Sequence, residues 1–324
     1  MKEFEGLIIE NCESENTRNI CVMKFGGTSV GCAEGVESIT EIIACEQRNG
    51  SRVAVVVSAM NGTTSQLRNI IDSNERTKNS TSFGSLVQEH ITLIEGLGFD
   101  EEAQRELFRE VFKHFLSLEN EVFNNEHFGL ERSDKILAHG EIISATIISK
   151  YLQKKGIRCE FVNASEIIKT NDTFGDAEPI MDESGKNIRN RLTPLINEGI
   201  VPVITGFIGS TSDGRITTLG EGGSDCTATL IAPYINAGNV YLYKKDVDGI
   251  YNKDPKILPD AKIIEEMSQF DADRMSKNGN TVLAEGSVEP LFGTEIDLYI
   301  KDTMHPERPG TLITSRLNFQ LEVK

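Results

Sequence analysis

The chain has 324 residues, 38% of them hydrophobic, and a formal net charge of −17 at pH 7. It contains no apolar run long enough for a membrane span, so the composition predicts a globular chain with a sizeable core. The acidic charge, with no basic cluster to offset it, argues against nucleic acid as a partner.

The N-terminal segment is polar and acidic, with neither the apolar core of a secretion signal nor the arginine-rich pattern of an import signal. We expect a disordered leader at residues 1–19, a tail at residues 318–324 and a cytoplasmic protein. The six cysteines form no CxxC or Cys/His cluster, which argues against a zinc site and against a disulfide framework.

Apolar, strand-like runs alternate with helical patterns along the chain. This alternation predicts an α/β fold with a mainly parallel sheet covered on both faces. The predicted strands are residues 21–24, 53–58, 158–162, 200–207, 240–244 and 296–300. A glycine between a helical pattern and a strand predicts a left-handed helix end, and this applies to Gly50, Gly156, Gly199 and Gly238.

Between residues 64 and 129 the pattern is helical, interrupted by a polar segment at 73–82 that is typical of a loop. Residues 133–154 carry an apolar helical stripe with Ser133 as the expected N-cap. Residues 209–219 predict a hairpin. We place a soft division near residue 200, giving lobes at 20–200 and 201–317.

The segment from Ile20 to Gly31 delivers a lysine, Lys24, from a buried strand into a glycine turn at Gly26 and Gly27, and a helix is predicted to begin near Ser29. Backbone amides, a helix start and an ammonium group together make a phosphate site. The alternative is an ordinary strand-turn-helix junction with a surface lysine.

A second glycine turn, Gly220-Glu221-Gly222-Gly223-Ser224-Asp225, follows a strand-like run and opens another helix. Asp225 lies just inside that helix start, where a carboxylate can orient a lysine ammonium or a magnesium ion. The alternative is a helix cap whose carboxylate interacts with the helix dipole.

These turns belong to a set of motifs that resembles the aspartokinases of the amino acid kinase family over about residues 20–315. The set comprises Lys24-Phe25-Gly26-Gly27-Thr28-Ser29-Val30, His139-Gly140-Glu141, residues 170–175 with 177–179, residues 206–209 and 214–220, Gly222-Gly223-Ser224-Asp225 and residues 246–251. The resemblance implies a three-layer αβα sandwich that uses ATP and Mg²⁺ to convert L-aspartate into 4-phospho-L-aspartate. It places the amino acid on the N-terminal lobe and ATP on the C-terminal lobe, and relatives commonly form homodimers.

The resemblance also implies roles for individual residues. Lys24 and Asp225 would be catalytic, with Asp225 organising Lys24. The amino acid would be bound by Ser58, Thr64, Glu141, Arg215, Glu221 and Ser224. The nucleotide would be bound by Lys24, Phe25, Gly26, Gly27, Lys245, Asp246, Tyr251 and Lys256.

Three of these motif residues keep a second interpretation. Glu141, on an apolar helix, needs a cationic partner that is either the substrate ammonium or an internal lysine or arginine. Arg215 is either a site residue or a solvated turn arginine. His139 is expected to be a packing residue rather than a base, because a carboxylate nucleophile needs no general base.

The chain departs from the aspartokinase pattern beside the ligands. Glu221 stands where the family usually has an arginine that grips a substrate carboxylate, and two like charges at 4 Å repel by about 4 kcal/mol at an effective dielectric near 20. Thr281 replaces a lysine normally near the nucleotide, and Ala284-Glu285 also differ from the family motif. The chain ends near residues 310–313, where the kinase domain of relatives stops, so we expect neither ACT regulatory domains nor feedback control within it.

The leading hypothesis is therefore an aspartokinase-type enzyme. One alternative keeps the acyl-phosphate chemistry but uses a related amino acid in a specialised pathway, because Glu221 suits an amine or a substrate lacking one carboxylate. The other is a degenerate, non-catalytic kinase subunit, motivated by Thr281.

Overall fold

The computed structural model describes residues 19–73, 76–123, 129–253, 260–278 and 282–317, with the backbone alone at 76–79. Nearly all of the predicted leader and the whole predicted tail lie outside this part of the chain, as do Lys256 and Thr281.

The described strands form one eight-stranded sheet and one hairpin. They are β1 (Ile20–Phe25), β2 (Arg52–Val57), β3 (Cys159–Val162), β4 (Val201–Thr205), β5 (Ile208–Ser210), β6 (Ile216–Thr218), β7 (Asn239–Lys244), β8 (Glu266–Ser268), β9 (Asp297–Asp302) and β10 (Thr311–Thr314). The large sheet has the order β3-β4-β2-β1-β7-β9-β10-β8, and all its pairs are parallel except β9 with β10. Strands β5 and β6 pair antiparallel.

Helices cover both faces of this sheet, which confirms the predicted α/β class. They are α1 (Gly27–Val30), α2 (Ala33–Arg48), α3 (Thr63–Asp72), α4 (Arg76–Gly96), α5 (Glu101–Phe123), α6 (Leu130–Lys154), α7 (Ala164–Ile167), α8 (Met181–Asn197), α9 (Gly223–Tyr234) and α10 (Gln269–Lys277). The long helix α6 packs on β2, β3 and β4, whereas α8 and α9 pack on the strands at the centre of the sheet. No helix in the described part of the chain is long and apolar enough to cross a membrane.

The centre of the sheet forms the core. Val22, Met23 and Phe25 in β1 are fully buried, as are the valines of β2 from Val55 to Val57. A central parallel strand has both faces covered, so a continuous apolar run is what such a position requires. The one exception in β1 is Lys24, a buried lysine in this apolar strand.

The predicted strands and the hairpin are confirmed, and the structure adds β8 and β10. These two strands have three and four residues, too short for a periodic pattern to be distinguished from loop sequence. The hairpin holds its turn at Gly214, whose φ of 88° is left-handed.

Three local predictions are wrong. The loop predicted at 73–82 ends early, because α4 begins at Arg76 and is anchored by buried residues further along it, such as Leu86. Ser133 is not the N-cap, since α6 begins at Leu130 and the Ser133 hydroxyl donates to the carbonyl of Gly129 (3.1 Å) within the first turn. The left-handed residue after α9 is Asn236 (φ 54°) rather than Gly238, as asparagine also tolerates this conformation.

Strand β4 follows residue 200 but lies between β2 and β3 of the preceding half. The main sheet therefore continues across the predicted division, which stays a prediction about where the two ligands bind.

Candidate active site

A cluster of two lysines and one aspartate lies at the carboxyl ends of β1 and β7. The two strands are parallel neighbours in which Lys24 lies opposite Leu242. Because alternate side chains share a face, Lys244 points to the same side as Leu242 and Lys24. Helix α9 covers that side and carries Asp225, whose Oδ1 lies 2.6 Å from Lys24 Nζ and whose Oδ2 accepts a hydrogen bond from Lys244 Nζ at 2.8 Å.

Two members of the cluster are buried, and the third is partly exposed to water. The side chains of Lys24 and Asp225 are 7% and 3% exposed, whereas that of Lys244 is 21% exposed. Burial lowers the pKa of Lys24, and the neighbouring Lys244 lowers it further, against the attraction of Asp225. Burial alone would raise the pKa of Asp225, but the two ammonium groups outweigh it and hold the pKa at about 2. The aspartate is therefore an anion across the working pH range.

The first glycine turn brings the backbone close to this cluster. A Cβ atom at Gly26 would lie 4.0 Å from Lys24 Nζ, and one at Gly27 would lie 2.6 Å from the carbonyl oxygen of Ala59. The Gly26 N–H donates to the Tyr243 carbonyl (3.1 Å), so this amide is not available to a phosphate. Helix α1 has only four residues, and the predicted helix dipole is correspondingly small.

The second glycine turn requires glycine for two reasons. Gly222 has a left-handed φ of 74°, and a Cβ atom there would lie 1.9 Å from the Cβ of Ala284. The segment containing Ala284 therefore packs directly on the turn that leads into α9. Ser224 and Asp225 follow this turn in the first positions of the helix.

A cavity of about 380 Å³ opens between the two turns. It is lined by seven of the predicted site residues, namely Lys24, Gly27, Ser58, Thr64, Glu141, Glu221 and Ser224. Residues that the sequence places up to about 200 positions apart are thus brought together. Asp225 lies directly behind this wall, in contact with Lys24.

Two functional candidates escaped the sequence analysis. Arg68 is exposed and lines the cavity from α3, four residues after Thr64, and residues four apart lie on one face of a helix. The sequence alone does not single out Lys244, because it lies just before the family motif at residues 246–251. Two signals could have identified these residues. They are the four-residue helical spacing from Thr64 for Arg68 and the alternation of side chains along β7 for Lys244.

Glu141 is a buried carboxylate with one oxygen unsatisfied. Its Oε1 accepts a hydrogen bond from the backbone N–H of Ala59 (3.2 Å), while its buried Oε2 has no partner among the described residues. Burial raises the pKa of Glu141 to about 8. Among the described residues no lysine or arginine forms an ion pair with Glu141, although Lys24 is near enough to act against the rise in its pKa, so Oε2 is available to a cationic ligand.

His139, two residues before Glu141, is buried, and its Nδ1 has no hydrogen-bond partner among the described residues. Burial lowers its pKa to about 4, so the imidazole is neutral at pH 7. It is not part of the cavity wall, which agrees with the packing role expected from the sequence.

The structure does not bring Arg215 to the cavity. Its guanidinium pairs with Asp213 (2.9 Å) and Glu131 (3.3 Å) and lies over the ring of Phe174. Its side chain is 38% exposed, and this environment matches the solvated turn arginine of the second interpretation.

Of the described residues predicted to bind the nucleotide, Phe25 and Lys245 lie at the ends of β1 and β7. Phe25 stacks on Tyr243, and Lys245 Nζ lies 3.8 Å from the sulfur of Cys32. Asp246 adopts a left-handed φ of 59°, and its N–H donates to Asp302 (3.1 Å). Tyr251 bridges to Ile263 through the backbone. None of these side chains belongs to the wall of the cavity described above.

No group of three or more histidine, cysteine, aspartate or glutamate residues is arranged to hold a metal ion in the ranges that the structure describes. Both oxygens of Asp225 contact lysines. Asp225 therefore orients two lysine ammonium groups, the first of the two roles expected from its position.

A profile of the amino acid kinase family matches residues 19–302. The chain belongs to the amino acid kinase family. Among curated members, this amino acid kinase is 30% identical to lysine-sensitive aspartokinase 3 of Escherichia coli over 301 residues, which cover 92% of the chain and 64% of that protein. It is 31% identical to an aspartokinase of Rickettsia prowazekii, covering 92% of the chain and 55% of that protein.

Solved structures also show similarity to this family. The amino acid kinase aligns with E. coli aspartokinase III, solved with aspartate and ADP in the R-state, with a TM-score of 0.85 and 27% identity over 92% of this chain and 65% of that one. A UMP kinase of Bacillus anthracis shares the fold, with a TM-score of 0.54 and 16% identity. The chain thus spans less than two thirds of the length of these aspartokinases.

Proposed function

We propose that this amino acid kinase transfers the γ-phosphoryl group of MgATP to the side-chain carboxylate of L-aspartate, forming 4-phospho-L-aspartate and ADP. The observation that carries the proposal is the cavity, in which a buried lysine held by Asp225 faces an unsatisfied carboxylate, Glu141. Similarity to E. coli aspartokinase III, a protein solved with aspartate and ADP, supports the same chemistry.

The proposed reaction needs little chemistry from the protein. A carboxylate oxygen of aspartate forms a bond to the γ-phosphorus, the bond from that phosphorus to the β–γ bridging oxygen breaks, and its electron pair leaves with ADP. The nucleophile is already ionised at pH 7, so no side chain has to remove a proton. Rate enhancement then comes from alignment and from neutralising charge on the phosphoryl oxygens.

Lys24 is the residue we assign to that charge. Its ammonium lines the cavity and is held from behind by Asp225, 2.6 Å away. A cation fixed in a buried site stabilises developing negative charge without having to reorganise. The N–H group of Ser224, in the first turn of α9, is a further candidate for a phosphate oxygen, as helix starts commonly bind anions.

Glu141 is the residue we assign to the substrate ammonium. Its Oε2 lies at the cavity and has no hydrogen-bond partner among the described residues, and an amino-acid ammonium would supply one. The hydroxyl groups of Ser58, Thr64 and Ser224 line the same wall and can donate to a carboxylate.

Glu221 is less of an obstacle to aspartate than the sequence suggests. It is exposed at the cavity wall, and like charges 4 Å apart repel by about 1 kcal/mol in water rather than about 4 kcal/mol. Arg68 lines the same cavity and offers a positive charge. We propose that Arg68 binds the substrate carboxylate in place of the arginine that position 221 lacks.

The nucleotide is assigned to Lys245, Asp246, Tyr251 and Lys256, together with Phe25, Gly26 and Gly27 around Lys24. This assignment rests on the resemblance and on the position of the described residues at the ends of β1 and β7. A cytoplasmic location and a homodimer stay predictions.

A substrate panel tests the proposal. ADP release would be measured with MgATP and aspartate, asparagine, glutamate or N-acetylaspartate. Aspartate should be the best substrate, N-acetylaspartate should fail because it lacks the ammonium for Glu141, and the Lys24→Met variant should lose about 10³-fold in kcat. No ADP release with any member of the panel would refute the proposal.

A second candidate keeps the chemistry and changes the amino acid. Its supporting observation is Glu221, an exposed anion in the cavity wall that favours a substrate with an additional amine or one carboxylate fewer. A diamino acid or a carboxylate-lacking analogue that outperforms aspartate in the same panel would favour this candidate.

A further inference from the structure

Lys244 is a second ammonium group on a carboxylate that already has a partner. Asp225 carries one negative charge, yet both Lys24 and Lys244 lie within 2.8 Å of it. One lysine is sufficient to neutralise a buried carboxylate, so the cluster has a net charge of +1. The chain as a whole has a formal net charge of −17, so a local excess of positive charge is unusual in it. This excess lies where the proposed function places the phosphates.

The two lysines differ in what they can reach. Lys24 is almost fully buried and lines the amino-acid cavity, whereas Lys244 is 21% exposed and is not part of that wall. Lys244 is the last residue of β7 and directly precedes Lys245 and Asp246, which are assigned to the nucleotide. Asp225 therefore lies between Lys24, which lines the amino-acid cavity, and Lys244, which adjoins the residues assigned to the nucleotide.

We infer that Lys244 is a catalytic residue that donates to the β-phosphate oxygens of ATP, where negative charge accumulates as the bond from the γ-phosphorus to the β–γ bridging oxygen breaks and ADP leaves. The inference rests on the proposed function and deepens it. The resemblance expects a lysine near the nucleotide at position 281, where this chain has threonine, and Lys244 supplies an ammonium from the end of β7. Lys24 then stabilises the transferred phosphoryl group, and Asp225 fixes the spacing between the two cations.

Nucleotide binding without any amino acid tests this assignment. Titration calorimetry would compare AMP, ADP and the non-hydrolysable analogue AMP-PNP, with Mg²⁺, on the wild type and on Lys244→Met. Loss of a charge-assisted hydrogen bond should weaken ADP and AMP-PNP binding by about 10- to 100-fold, and AMP binding should stay unchanged. Equal affinities of the variant and the wild type for ADP and AMP-PNP would overturn the inference.

Two further variants separate a catalytic role from a structural one. Lys244→Arg keeps the charge and should restore most of the nucleotide affinity that Lys244→Met loses. Lys150→Met removes a comparably half-buried lysine, 31% exposed and 3.2 Å from Glu110, and should bind all three nucleotides as the wild type does. If Lys244→Arg and Lys244→Met lose AMP, ADP and AMP-PNP binding equally, together with thermal stability, Lys244 is only a structural partner of Asp225 and the inference fails.

Turnover gives a readout that is separate from the choice of substrate. With the best amino acid of the panel, Lys244→Met should lose about 10²- to 10³-fold in kcat while the KM for the amino acid changes little. If aspartate proves inactive but Lys244→Met still weakens ADP and AMP-PNP selectively, the proposed substrate is wrong and the role of Lys244 stands. If aspartate turns over at the same kcat in Lys244→Met, the role of Lys244 is wrong and the proposed function stands.

Discussion

Lys24 Nζ lies 2.6 Å from Asp225 Oδ1, although the two residues are about 200 positions apart in the chain and belong to a central strand and to the helix covering it. Both side chains are almost completely buried. A buried charge without its partner is strongly unfavourable, so replacing either residue by a neutral one should destabilise the fold.

Replacing Asp225 with asparagine should therefore destabilise the fold as well as the site. The substitution leaves the buried Lys24 ammonium and the half-buried Lys244 ammonium without a counter-charge. Breaking a buried ion pair costs about 3–5 kcal/mol in unfolding free energy. Urea denaturation would measure this loss, with the exposed Asp213→Asn as the control expected to show little change. An Asp225→Asn variant as stable as the wild type would contradict the account of the cluster.

Amino-acid binding should weaken as the pH falls below about 8. Burial raises the pKa of Glu141 to about 8 in the empty site, and only the ionised carboxylate attracts an ammonium group. Below that pKa the carboxyl must lose its proton on binding, so aspartate affinity should fall by about fivefold between pH 8 and pH 7.

Calorimetry of aspartate binding in buffers of different ionisation enthalpy would count the proton released, with close to one expected at pH 7. Glu141→Gln cannot release it and should bind weakly with no slope between pH 6 and 8. Binding by the wild type that neither releases a proton nor depends on pH would show that Glu141 does not take the ammonium.

Arg68→Gln should raise the KM for aspartate by about tenfold or more without changing the KM for MgATP. The reason is that Arg68 is the exposed cation on the α3 side of the cavity, and a hydrogen bond to a charged group contributes about 1.5–3 kcal/mol. Steady-state kinetics would measure both constants. Arg105→Gln, on the exposed side of α5, is the matched control. Unchanged aspartate kinetics in Arg68→Gln would remove Arg68 from the site.

Glu221→Arg should improve aspartate binding while leaving kcat nearly unchanged. It removes an exposed repulsion of about 1 kcal/mol and adds a similar attraction, so the KM should fall by up to about 30-fold. Glu102→Arg, at the exposed start of α5, changes the net charge equally and serves as the control. A higher KM for aspartate in Glu221→Arg, with better use of another amino acid by the wild type, would favour the second candidate substrate.

The sequence predicts the fold well because the central strands have a strong signal. Continuous apolar runs such as Val53 to Val57 have no competing interpretation at that length and position. The short edge strand β8 has no such pattern, and the start of α4 is determined by tertiary packing that a polar segment does not reveal. Asn236 shows a different limit, because two residues close to each other could each end the helix and only one adopts the left-handed conformation.

The residues of the site also fall into those that the sequence predicts and those that it does not. Residues within a motif, such as Lys24 and Ser224, could be predicted because their spacing is local. Lys244 and Arg68 depend on which strand lies beside β1 and on which face of α3 borders the cavity, and one sequence does not state either. Arg215 fits a motif equally well, yet neighbouring Asp213 and Glu131 hold it on the hairpin.

Trapping of the reaction product tests the central claim most directly. Hydroxylamine added to a reaction with aspartate and MgATP converts an acyl phosphate into a hydroxamate. The account predicts aspartate hydroxamate and ADP in a one-to-one ratio with the wild type, and neither with a folded Lys24→Met variant. ADP release without hydroxamate, or equal hydroxamate from Lys24→Met, would contradict it.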